Sequence, residues 1–127
     1  MLKCVTIPDG VAEHEDLVLM HGDAEDLRAA ADGFRRWASQ PLPGSVSGLP
    51  AEIRLVEGAP PNGMTRDGER LAWSLSRSDA ERFARLAEAL ANNDRPGHQY
   101  LDIDGAEGFG LTVKLSRGEY PPDFPRV

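Results

Sequence analysis

The sequence predicts an α+β fold: a two-layer sandwich of about six mostly antiparallel or mixed strands, with two helices packed on one face. Two capped segments carry apolar side chains at helical spacing, which marks one buried stripe on each. Six short runs alternate or are continuously apolar, as strands do. The order of these segments gives strand-helix-strand twice, and 127 residues are most simply one domain, 1–127.

In chain order, Lys3 to Ile7 reads as a strand, with turn residues at Pro8-Asp9-Gly10. Asp16 to His21 is a second, and its run Leu17-Val18-Leu19-Met20 implies burial on both faces. Asp23 is the N-cap of the first helix, with Glu25 and Asp26 in the first turn where acidic groups favour the dipole. Its stripe is Leu27, Ala30, Ala31, Phe34 and Trp37. Gly33 inside it costs about 1 kcal/mol relative to Ala, a cost that a close backbone approach would justify. Residues 40–50 form a Pro/Gly/Ser-rich loop, Glu52 to Val56 a strand, and residues 59–68 a second polar loop long enough to be functional.

Leu71 to Leu75 alternates as the fourth strand. Ser78-Asp79-Ala80-Glu81 fits a capping box, followed by Phe83, Leu86, Ala87 and Leu90 on one face. Asn92 to Gly97 stops that helix. His98 to Asp104 and Leu111 to Leu115 are the last strands, joined through 105–110, and the proline-rich tail 118–127 runs extended. A shift of 56 places Asp23 on Asp79, Leu27 on Phe83 and Phe34 on Leu90, an internal repeat over 16–58 and 70–105. Strand order stays open.

The net charge of −7 and a pI near 4.9 disfavour nucleic acid, which needs clustered Lys and Arg, and suit a basic protein partner. No apolar run reaches the roughly 20 residues of a membrane span. Residues 1–8 are too short and strand-like for a signal peptide, and one cysteine makes no internal disulfide, so the expected location is cytoplasmic. No cofactor and no metal are expected. His14, His21 and His98 lack the spacing that puts two ligands on one ion. Cys4 sits in an apolar strand without a base, and Gly44-Ser45-Val46-Ser47-Gly48 has Val46 where a nucleophile elbow needs serine.

The chemistry concentrates on one strand. Tyr100, Asp102 and Asp104 alternate onto one face, with Thr112 and Lys114 beside them on the last strand. His98 opens that strand. If the helices cover only one side, His98, Tyr100, Asp102, Asp104 and Lys114 form an open acidic face for a partner, and the tail lies over an apolar edge through Tyr120 and Phe124. The other expectation is a small-ligand or enzyme pocket near His21, His98 and loop 59–68; a self-complementary homodimer is a third.

The stretch from Ser78 to Tyr120 runs capped helix, Arg95-Pro96-Gly97-His98-Gln99-Tyr100-Leu101-Asp102, hairpin, strand, then Gly118-Glu119-Tyr120-Pro121. It resembles uncharacterised small bacterial proteins and predicted immunity proteins of polymorphic toxin systems, over about a third of the chain. The resemblance implies a compact α+β inhibitor that binds one toxin domain and has no catalysis of its own, and it fixes no binding residue.

Overall fold

The computed structural model describes residues 2–8, 16–58, 63–68, 70–101, 111–121 and 124. Its order is β1 (Lys3–Pro8), β2 (Asp16–Gly22), α1 (Ala24–Ser39), β3 (Gly44–Ser45), β4 (Ile53–Glu57), β5 (Gly63–Asp67), β6 (Arg70–Leu75), α2 (Arg77–Asn92), β7 (Gly97–Leu101) and β8 (Leu111–Arg117). The fold is α+β with two helices, as expected. Its strands differ: the described residues hold two mixed sheets of four, in the orders β1-β2-β8-β7 and β3-β4-β6-β5, in place of about six strands in one layer. The two additional strands lie in stretches read as loops. β3 is a two-residue pairing inside the Pro/Gly-rich segment, and β5 occupies half of the segment 59–68. Gly63-Met64-Thr65-Arg66-Asp67 has a single large apolar residue, so no hydrophobic period announces it.

The two sheets are built alike. Each joins two antiparallel hairpins through one parallel pair, β2 with β8 in the first and β4 with β6 in the second. The chain therefore reads as two ββαββ halves, and each sheet takes one hairpin from each half. The helices are equivalent at a shift of 53, not 56: Ala24 falls on Arg77 and Ser39 on Asn92. At that shift the buried Leu27, Ala30, Ala31, Phe34, Trp37 and Ala38 coincide with the buried Ala80, Phe83, Ala84, Ala87, Leu90 and Ala91. Ser76, not Ser78, is the N-cap of α2, its Oγ accepting from the Asp79 amide at 3.1 Å. Ala84 accordingly takes a core place, and Leu86 is only partly buried. At the head of α1 the cap is Asp23, in a reciprocal box with Asp26.

One contiguous core joins both helices to both sheets, with Val18, Met20, Leu101, Val113 and Leu115 from the first sheet and Ile53, Leu55, Leu71, Trp73 and Leu75 from the second. At its centre Trp73 stacks on Phe83 with ring centroids 5.1 Å apart, and Phe34 meets each of them edge-on at 6.0 Å. Gly33 proves to be a point of close approach. A Cβ there would meet the carbonyl oxygen of Ser47, and a Cβ on Gly48 would meet that of Ala29. The loop before β4 thus lies directly on the α1 backbone. No helix among the described residues is long and apolar enough to cross a membrane.

Candidate functional site

The face of the β1-β2-β8-β7 sheet turned away from the core carries the polar chemistry. Residues paired across strands point to one side, so the registers define rows. Lys3 pairs with His21, His21 with Ser116, and Ser116 with His98. The next row on the same face runs Val5, Leu19, Lys114 and Tyr100. His21 and His98 thus flank Ser116, about 10 Å apart at two strand spacings. Their convergence depends on the parallel pairing of β2 with β8, strands from opposite ends of the chain.

This face is not open. The chain leaving β8 folds back over it, beginning where the Gly118 amide donates to the Gly22 carbonyl at 3.2 Å. Leu19, His21 and Ser116 are buried on that side as a result. Tyr120 and Phe124 pack on each other with centroids 4.8 Å apart and on the His21 ring at 5.8 and 6.0 Å. The His21 Nε2–H donates to the Phe124 carbonyl at 3.1 Å, because a carbonyl can only accept. Tyr120 and Phe124 thus form a strap, but over the His21 ring on the outer sheet face and not over the apolar edge expected; the Phe124 amide donates to the Pro121 carbonyl at 2.9 Å.

Glu119 is the second anchor of the strap. Its carboxylate accepts the Ser116 hydroxyl at 2.7 Å and the His98 Nδ1–H at 3.1 Å, with the Lys114 ammonium 3.9 Å away. Lys114 also donates to the Tyr120 hydroxyl at 3.1 Å. Partial burial works against the ionised Glu119, but the bonds from Ser116 and His98 and the charges of His98 and Lys114 outweigh it and hold the carboxyl below its usual value of 4.5. Burial likewise opposes the Lys114 charge, yet the Tyr120 hydroxyl and the Glu119 charge raise its ammonium above its usual 10.5. A depressed carboxyl contributes stability that is present above about 4.5 and lost as pH falls through its lower folded value. The strap should therefore loosen in acid. Followed by the His21 and Tyr120 ring resonances, the native chain is expected to lose strap contacts below pH 4.5, whereas Glu119→Gln shows no such step there. An identical acid step in Glu119→Gln would contradict this assignment.

The arrangement does not assemble acyl-transfer chemistry. A nucleophilic serine needs a base on its hydroxyl and a carboxylate behind that base. Here the carboxylate stands between serine and histidine, and Ser116 is fully buried. The Cys4 thiol is pushed up to about 11 by burial and by the Glu52 charge, so it stays protonated near neutrality. No three metal-ligating side chains gather among the described residues.

The sequence-predicted residues separate into three groups. His98 and Tyr100 lie at the sheet edge on β7 with their rings edge-to-face at 5.4 Å, and Tyr100 is 51 % exposed. Lys114 lies on the same face, but its ammonium is held inside by Tyr120 and Glu119. Asp102 and Asp104 lie outside the described residues, as does the connection 105–110. The pocket expected near His21 exists as a cleft of about 470 Å³ at the end of β2. It is lined by Lys3, Asp23, Asp26, Glu119 and Tyr120, not by His98 or by any part of 63–68, which belongs to the edge of the other sheet. Reading by segments missed Glu119, Ser116 and the Asp23–Asp26 pair as members of one place. The only local signal was Gly118-Glu119-Tyr120-Pro121, a charged residue and an aromatic at a bend.

No family model, curated protein or solved structure matches the chain.

Proposed function

We propose that this is a small non-catalytic binding protein that docks a basic protein partner on the strapped face, with β7 at its edge. The observation that carries this reading is the exposed Tyr100, held against His98 on an edge strand beside the carboxylate-anchored strap. Tyrosine presents a large apolar surface with a polar tip at low entropic cost, which suits an interface anchor. Asp102 and Asp104, which follow β7 in the sequence, contribute to the net charge of −7 that suits a basic partner. His98 joins Tyr100 in the contact, and Lys114 supports the face from beneath. The resemblance of 78–120 to immunity proteins favours an inhibitor of one toxin domain in the bacterial cytoplasm.

Capture from a native lysate, identified by mass spectrometry, tests the reading. Tyr100→Asp and the pair Asp102→Lys with Asp104→Lys should each abolish capture while leaving the Tm nearly unchanged. Val56→Asp, on an exposed position of the other sheet, should retain it. Undiminished capture by Tyr100→Asp would contradict the proposal, and self-association lost with the same change would convert it to a homodimer. A second reading, a small-ligand binder, is favoured by the cleft at His21, whose volume is in the range of ligand sites.

A further inference from the structure

We infer that the outer face of the β3-β4-β6-β5 sheet carries a site for a carboxylate group on a short aliphatic arm. It lies on the other sheet from the proposed docking face and does not depend on that reading. Arg54 and Val56 of β4 alternate with the buried Ile53 and Leu55, and Arg70 and Ala72 of β6 alternate with the buried Leu71 and Trp73. All four therefore turn away from the core. The parallel register sets Arg54 opposite Ala72, and Arg70 stands two residues before Ala72 on the same face. The two arginines are thus diagonal neighbours, with Cα atoms about 8 Å apart by strand geometry. Together with Pro43, Gly44, Val56 and Ala72 they line a cleft of about 220 Å³.

Two separate observations point to the ligand. The first is charge. The chain has 21 acidic residues against 14 basic ones, and several arginines find a carboxylate: Arg35 pairs with Glu88, Arg77 with Glu57 and Arg82 with Asp79. Arg54 and Arg70 have no such partner among the described residues, and no carboxylate lines the cleft between them. Neighbouring like charges on a sheet repel, and a bound anion relieves that repulsion. The second observation is apolar surface at the same place. Val56 is 41 % exposed, one of three large apolar side chains so exposed among the described residues, and Ala72 and Pro43 line the cleft with it. A carboxylate can take the planar forks of both guanidinium groups while its hydrocarbon arm covers Val56 and Ala72. Phosphate satisfies the arginines and leaves the apolar lining wet, and an amine is repelled. The volume suits a small group and falls below that of drug-sized ligands.

The probe is butyrate, titrated at pH 7 and constant ionic strength into the isotopically labelled full chain. Saturable shifts are expected at the Arg54 and Arg70 Nε–H resonances and at the Val56 methyls. Acetate, which lacks the arm, and inorganic phosphate should each bind several-fold more weakly, and butylammonium should shift none of these resonances. The arm can belong to a free acid or to a glutamate side chain of another protein, and N-acetyl-glutamate methylamide separates the two sources. Binding as tight as butyrate assigns the site to a side chain, and much weaker binding assigns it to a free acid. Arg54→Gln and Arg70→Gln, both at exposed positions, should each weaken butyrate by about tenfold with the Tm nearly unchanged. Val56→Asp should abolish butyrate binding while retaining partner capture. Unchanged butyrate affinity in both arginine variants would overturn the site. So would phosphate binding as tightly as butyrate, or butylammonium shifting the same resonances.

Discussion

Phe83→Ala is expected to destabilise the protein by about 3–5 kcal/mol, lowering the Tm by roughly 10 °C or more. Phe83 is fully buried at the middle of α2 and stacks on Trp73 from the second sheet, with Phe34 of α1 closing the cluster. Both helices and one sheet therefore meet at this ring. Its removal deletes burial and leaves a hole that three elements would have to close together, and closely packed interiors relax only partly. Leu90→Ala, nearer the end of the helix and 4 % exposed, should cost less, about 2–3 kcal/mol. Chemical denaturation measures both. A Phe83→Ala midpoint no lower than that of the exposed Arg85→Ala would contradict the packing of α2 described above.

Gly48→Ala should come close behind, at about 2–4 kcal/mol. Gly48 has φ of +95°, a region that costs an L-residue roughly 1–3 kcal/mol, and its missing Cβ is where the Ala29 carbonyl lies. Gly33→Ala is the informative partner. In an exposed helix it would gain about 1 kcal/mol of propensity, but here the new methyl strikes the Ser47 carbonyl, so the sign reverses to a net loss of about 1–2 kcal/mol. The two glycines share one contact between α1 and the loop, and the double change should cost less than the sum of the singles. A stabilised Gly33→Ala would show that the loop does not rest on the helix.

The helices were legible because their signals are local. Asp23 caps α1, and Leu27, Ala30, Ala31, Phe34 and Trp37 are all buried as their spacing requires. Gly33 was legible too, since a costly residue inside a strong helical pattern points to a close approach. Ser78 misled because both Ser76 and Ser78 stand at the head of the second helix with an acidic residue three positions on, and only backbone geometry separates them. β5 escaped because Arg66 and Asp67 give it no apolar period, and β3 because two residues carry none. The site was legible as an inventory, His21, His98, Tyr100 and Lys114, but not as a place. Its assembly depends on a parallel pairing between β2 and β8, and on Glu119 reaching back beneath the strap, neither of which a segment-by-segment period encodes.

The central claim is that the working surface is the strapped face and its β7 edge. Hydrogen–deuterium exchange of the chain alone and of its captured complex tests it most directly, because it reports where amides become protected without altering a residue. The account predicts new protection over Gly97–Leu101 and at residues 118–121, with Ile53–Glu57 and Gly63–Asp67 unchanged. Protection confined to Ile53–Glu57 and Gly63–Asp67, with β7 and the strap exchanging as in the free chain, would place the partner on the other sheet and contradict it.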